Sequence, residues 1–421
     1  MTHEKLLGFL TLTIVILITA LIAKKHPKTL NFIFVALLVR SLSVIIDEYY
    51  FYLPGSRMDA WSFELFAFRY SEKYGLDIIS QLLEGDSFFL PKIISIFYTL
   101  LDRSSMMAKM FSVGFGIGSV FLIYQLTLTL WDSRTALKAG WFAALFPSLI
   151  LYSSVIMREI YVVFFLSYSL IACVNFLSNF KFIYFIKSFF GFLITALFHG
   201  PMILGFFVFL AFIFFKILKK NNYFLHFKKK NLYLLFVLPL ILLPILAYFW
   251  GYYSIPKIGN ISNFGDLRTE DQRKVKSLRE RILWKMDRAR TQCHFTECKA
   301  AYPSWIVPKN VNEIIYLTPI RMFYFLHAPF PWDIKKLSHL IGLFESVFYI
   351  YLSICILRNW KVLNENPLTR FLILILIMYI FVYSFGVGNF GTSIRHRLKF
   401  IGILIAIAAP KIVKIKLFKI K

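Results

Sequence analysis

Ten ionisable residues stand at the ends of apolar segments, where a side chain is dry enough to be reactive and wet enough to meet a substrate. They are Asp47, Glu48, Asp59, Glu64, Arg158, Glu159, His199, Arg395, His396 and Arg397. Carboxylates in such places can take a proton from a hydroxyl group. Arginines can hold a phosphate in a planar fork. The combination points to a polar site on the outer side of a membrane, acting on an exported, lipid-linked substrate.

Three stretches carry most of these residues. In the first, Asp47 and Glu48 end an apolar run, Pro54-Gly55-Ser56 breaks the chain, and Asp59 and Glu64 follow close to a new helix start. Asp59 there reads either as a general base or sugar-hydroxyl anchor, or as a helix cap without substrate contact. From Ala60 the pattern Trp61, Phe63, Leu65, Phe66, Phe68 and Tyr70 predicts an amphipathic helix on the membrane surface. In the second stretch, Phe146-Pro147-Ser148 leads to Arg158-Glu159 between two apolar runs. This pair reads as a structural ion pair or as a phosphate site centred on Arg158, because ionisable groups in a membrane face a cavity or a partner. The third stretch, Gly388 to Arg397, places Arg395, His396 and Arg397 at a predicted helix start, which already attracts anions. A bound diphosphate and simple snorkelling to the interface both fit it. His199, before Gly200-Pro201, is either structural or a lining residue of the same cavity.

The elements that must position these residues are membrane helices. The 421 residues are 58% hydrophobic and 19% aromatic, with mean hydropathy +0.67, which no soluble domain of this size needs. A spanning helix takes about 20 apolar residues. Eleven segments qualify: 5–23, 30–48, 107–131, 137–157, 159–178, 183–199, 201–218, 232–253, 338–357, 371–388 and 398–413. The fold class expected is therefore all-α, a polytopic bundle of about eleven transmembrane helices. Its organisation is an N-terminal bundle over 1–253 containing a first outer loop at 49–106, a large outer loop over 254–337, and C-terminal helices with a basic tail over 338–421. The first apolar run has no cleavage pattern and reads as a retained span.

The net charge of +26 does not signal nucleic acid. Its lysines and arginines sit in short loops at 24–28, 134–138, 181–187, 216–230 and 358–370 and in the tail at 411–421. One orientation puts all of these in the cytoplasm, with the first residue outside. The large loop is basic too, and its stretch 268–290 reads as a solvated helix or as a lid over an anionic glycan. Cys293 and Cys298 in that loop suggest a local disulfide, with a zinc site using His294 as a weaker reading. No phosphate-cradling glycine loop, Ser-His-Asp spacing or metal-ligand run is present, so nothing signals ATP or a soluble nucleotide sugar. No cofactor is expected.

Asp59-Ala60-(x)2-Phe63-Glu64, Phe146-Pro147-Ser148 with Arg158-Glu159, Pro329-Phe330-Pro331-Trp332 and Asn389-(x)-Gly391-Thr392-(x)2-Arg395-His396-Arg397 together resemble bacterial O-antigen or capsule repeat-unit polymerases. More broadly they resemble membrane glycosyltransferases of the GT-C type. The resemblance implies an enzyme of the bacterial inner membrane with its site facing the periplasm. The implied substrates are polyprenyl-diphosphate-linked oligosaccharides, and the implied partners are membrane lipids, a chain-length regulator and a flippase, with no nucleic acid. It further implies Asp59 as the base for the acceptor hydroxyl, with Asp47-Glu48 as a competing match, and Arg158, Arg395 and Arg397 as donor-phosphate ligands. Glu159 belongs to the same catalytic set, and Glu64, His199 and His396 to the substrate-binding set. A transferase adding one sugar and a lipid-linked-sugar transporter are the alternatives.

Overall fold

The computed structural model describes residues 3–82, 88–218, 300–308, 310–336 and 339–413. The regular structure of these residues is helical, apart from one isolated antiparallel bridge between Ala301 and Asn389. The chain divides into two compact units, Met1–Asp266 and Leu267–Lys421. The predicted span 232–253, the stretch 268–290, Cys293, His294 and Cys298 lie outside the described residues.

In the first unit, α1 (His3–Lys25), α2 (Leu30–Tyr49), α5 (Ser105–Leu130) and α8 (Arg158–Asn179) are long and apolar enough to cross a membrane. Between α2 and α5 lie α3 (Trp61–Tyr74) and α4 (Phe89–Leu101). The predicted span 137–157 is instead two helices, α6 (Ser133–Ala144) and α7 (Pro147–Ser153), bent by 57°. Pro147 causes the break, since it has no N–H to donate and drives Phe146 into extended geometry. The predicted spans 183–199 and 201–218 appear as the shorter helices α9 (Phe182–Phe198) and α10 (Leu204–Leu218). The extended His199 and the following Pro201 separate them. Seventeen residues of α9 give about 25 Å of rise, short of the roughly 30 Å hydrocarbon core.

Helix directions follow from which side chains meet. Gly8 abuts Met106 and Gly114 abuts Val15, so α1 and α5 run parallel. Ser112 bonds Tyr161 and Phe115 packs on Phe165, so α8 runs with them. Helix α2 runs the other way: Arg40 lies beside Gly116, and Asp47 pairs with Lys109. Each step is seven residues, about two turns. Gly116 is needed here, since a Cβ would come within 2.4 Å of Ser153. The basic loops after α1 and after α5 therefore lie at one end, where Lys28 reaches Ser133 at 3.5 Å. The carboxylates of Asp47 and Glu48 lie at the other.

In the second unit, α12 (His339–Arg358) and α14 (Pro367–Gly386) are long enough to span, joined by the short α13 (Trp360–Glu365). They follow α11 (Val311–His327), which falls within the predicted outer loop. The predicted span 398–413 is shorter, α16 (Ile401–Ala408), entered from α15 (Phe390–Leu398) through a break at Lys399-Phe400. The described residues thus hold six helices long and apolar enough to cross a membrane, or seven with the bent pair counted as one span. The predicted segments that became breaks or short helices are those interrupted at Pro147, at His199 and Pro201, and at Lys399.

Candidate functional site

The carboxylate end of the first unit is built by the turn that follows α2. The chain leaves the helix at Tyr50, and Gly55 turns it with φ +86°, a conformation that costs glycine little. Asp47 holds this turn together. Its Oδ1 accepts from the Leu53 N–H at 2.7 Å, and its Oδ2 accepts from the Ser56 hydroxyl at 2.8 Å. Lys109 Nζ completes the set at 2.7 Å from Oδ2. Asp47 is 2% exposed, so every favourable direction around it is occupied by protein.

Glu48 is different. Its Oε2 accepts from Lys109 Nζ at 2.5 Å, and its side chain is 22% exposed. Its Oε1 makes no hydrogen bond with any described residue. One lysine, 10% exposed, therefore serves two carboxylates, and the cluster keeps a net negative charge with one open oxygen.

Glu48 is part of the lining of an open cavity of about 540 Å³. Besides Asp47, Glu48 and Lys109, the walls include Tyr52, Arg57, Trp61 and Glu64. Tyr52 and Trp61 are both more than half exposed. The Arg57 guanidinium lies 3.6 Å over the Tyr52 ring, so a cation and two aromatic faces share the opening.

Glu64 forms one wall under tight control. Arg103 grips it with Nε at 2.9 Å and Nη2 at 2.8 Å, and the Tyr98 hydroxyl donates to it at 3.2 Å. The hydrogen bonds that Arg103 donates to Glu64 raise its pKa above the ordinary guanidinium value. Burial, reinforced by the Glu64 charge, pushes the Tyr98 phenol well above its usual range, so it remains a donor. Helix α3 does carry the expected amphipathic pattern, with its apolar side packed on α4: Phe63 and Phe66 both meet Phe88.

The cavity brings together Asp47, Glu48 and Glu64 of the predicted residues. Asp59 is exposed on the turn Ser56–Ala60 and does not line the cavity. Arg158 begins α8 two residues after Ile156, which lines the cavity, but it is not itself a wall residue. It is half-buried, and its Nε is enclosed without a hydrogen-bond partner among the described residues. Glu159 is fully buried. His199 caps the end of α9, away from the cavity lining.

Arg395, His396 and Arg397 belong to the second unit. His396 stacks on Tyr383 at 4.9 Å and meets Lys399 Nζ through Nδ1 at 2.6 Å. Arg397 is fully buried and donates to the carbonyls of Leu326 (2.9 Å) and Ala328 (2.7 Å) at the end of α11, while lying over the Tyr349 ring. Helix carbonyls left open at a C-terminus attract cations, and these carbonyls hold this arginine. Arg321 does the same for α14, donating to Ser384 and Val387.

Sequence reasoning missed Lys109, Arg57, Tyr52, Trp61 and Arg103 as parts of one site. Lys109 had a readable signal: a lysine just inside an apolar run needs a partner. Among the described residues no group of three or more His, Cys, Asp or Glu side chains is placed to hold a metal ion. Fold and site together define an all-helical protein with the build of a multi-pass membrane protein. Comparison with protein families and with curated proteins finds no match to this chain.

Proposed function

We propose that the protein is a membrane glycosyltransferase that joins polyprenyl-diphosphate-linked oligosaccharides at the outer face of a bacterial inner membrane, as an O-antigen or capsule repeat-unit polymerase does. The observation that carries this reading is Glu48, a partly exposed carboxylate fixed by Lys109 through one oxygen and lining an open cavity with aromatic walls. Such walls suit the apolar face of a sugar ring, and a fixed carboxylate suits its hydroxyl.

In this reading the acceptor hydroxyl lies on Glu48 Oε1. As its oxygen attacks the anomeric carbon of the donor, Glu48 takes the proton. The bond from the anomeric carbon to the phosphate oxygen breaks, and its electron pair leaves on the diphosphate. Arg57, exposed at the opening, meets the developing phosphate charge, with Arg158, two residues after the wall residue Ile156, as a second cation. Asp47 holds the turn and takes no proton, because its oxygens are fully engaged. This reading takes Glu48, of the competing Asp47-Glu48 match, as the base in place of Asp59, and leaves Arg397 to its carbonyls.

A transporter for lipid-linked sugars would want free charge at mid-span. Arg40 lies there, fully buried, but donates to Ala144 O at 2.9 Å and Ala36 O at 3.2 Å. It caps the break between α6 and α7, which favours a structural use.

The test is deletion of the gene followed by complementation, with surface polysaccharide resolved on a gel. Loss of the length ladder, leaving one repeat unit on the lipid acceptor, is expected for the deletion and for Glu48→Gln. A full ladder from Glu48→Gln at normal abundance would overturn the reading, and loss of every repeat unit would point to assembly or export.

A further inference from the structure

The segment 311–330 was expected to be part of a water-facing outer loop. Its contacts within the second unit place it elsewhere. His327 Nε2 lies 2.8 Å from the Ser353 hydroxyl. Ser353 is fourteen residues into α12, roughly 21 Å from its start at 1.5 Å per residue. Pro329 abuts Gly342, and Arg397 links the carbonyls of Leu326 and Ala328 to Ser346. Phe325 packs between Tyr383 of α14 and Phe400. The turn after α11 thus runs beside residues 342–353 of α12, within a helix whose twenty residues match the hydrocarbon thickness.

Backbone that leaves a helix at this depth must have its polar groups satisfied inside the protein. Here they are: Arg397 takes the carbonyls that end α11, and Arg321 takes those that end α14. Two fully buried arginines, with hydrogen bonds to carbonyls and no ion pair to a carboxylate among the described residues, are explained by that requirement.

One face of α11 is left over. Ile315 (79% exposed), Tyr316, Ile320 and Phe323 (54%) follow helical spacing and form an apolar stripe. The Phe323 ring continues into a stack with Phe330 and then Trp332, the outermost and 70% exposed. Aromatic rings of this kind favour the membrane–water boundary.

We infer that α11 is a re-entrant helix whose stripe at Ile315, Tyr316, Ile320 and Phe323 contacts lipid acyl chains. Its C-terminal end goes deepest, and Trp332 marks the return to the interface. The segment is part of the membrane body and is not a lid in water. This does not depend on the proposed activity.

The test uses full-length protein with Cys173, Cys293, Cys298 and Cys355 replaced by alanine. Spin labels are attached at Ile320→Cys, Phe323→Cys and, as the water-facing reference, Lys335→Cys, before reconstitution into phosphatidylglycerol–phosphatidylethanolamine nanodiscs. Collision with oxygen should rise, and collision with a water-soluble nickel chelate should be lost, at 320 and 323 relative to 335. Nickel access at 320 and 323 equal to that at 335 overturns the inference in favour of a solvated loop. Labels reached by neither probe overturn it in favour of a stripe covered by protein. Should the substitutions prevent folding, photoactivatable lipid applied to the unaltered protein gives the same decision. Cross-links on the peptide containing Ile315 to Phe323 support the inference, and their absence, with cross-links on α12 in the same sample, overturns it.

Discussion

The two units bury positive charge against different partners. In the first, Lys109 sits between two carboxylates beside an open cavity. In the second, Arg321 and Arg397 sit among helix-ending carbonyls. A carboxylate keeps its own charge and can exchange a proton, so the first arrangement can do chemistry. A carbonyl can only be satisfied, so the second holds shape. Arginine suits the second task because its fork serves several acceptors at once, whereas the compact ammonium of lysine serves converging ones. Arg40 in the first unit follows the same rule, which ties the contrast to the partner and not to the unit.

Substitutions can break this contrast or sharpen it. Arg321→Ala should have the largest effect, because it strands the carbonyls of Ile306, Ser384 and Val387. At about 1–3 kcal/mol for each buried orphan, a loss of at least about 3 kcal/mol is expected in a denaturant or thermal unfolding titration in detergent. Arg321→Lys should recover only part of it. Lys109→Met leaves two carboxylates in one enclosed place and should cost about 3–5 kcal/mol. Adding Asp47→Asn and Glu48→Gln to it should restore most of the stability and none of the activity. If the single variant unfolds at the normal midpoint, the cluster is not what holds the turn.

Glu48→Gln separates chemistry from shape. Its midpoint should stay within about 1 kcal/mol, while transfer should fall by roughly 10²- to 10⁴-fold, measured as polymer formed per unit of protein. Glu64→Gln removes one half of a charged pair whose Arg103 side chain is 43% exposed. Solvent screening limits that loss to about 1 kcal/mol. Asp59→Ala should move the midpoint by less than about 0.5 kcal/mol and leave the ladder intact. A lost ladder at Asp59→Ala would return the catalytic role to the residue first expected to hold it.

The long spans were legible because their apolar runs are long and carry few charges, and α1, α2, α5, α8, α12 and α14 fall close to the expected segments. The broken α6–α7 pair was not, although Phe146-Pro147 was in view, because hydropathy averages across a proline that the backbone cannot ignore. Asp47 and Glu48 were legible as acids ending a span. Their division of labour was not, since it depends on Leu53, Ser56 and a lysine more than sixty residues away. Arg397 was expected at a helix start, bound to an anion or snorkelling, whereas it falls in the last turn of α15. The end of α11 that claims it comes from a segment read as loop. Arg40 could have been found, since a lone arginine inside an apolar run always demands a partner.

The two matched rungs between α2 and α5, Arg40 beside Gly116 and Asp47 on Lys109, rule out one kind of gating. A piston stroke of α2 by a single turn, about 5.4 Å, would uncouple the capped helix break and the carboxylate cluster in the same movement. Any widening of this cavity that keeps both rungs must come from the ten-residue stretch after Tyr50, which Asp47 ties down at Leu53 and Ser56.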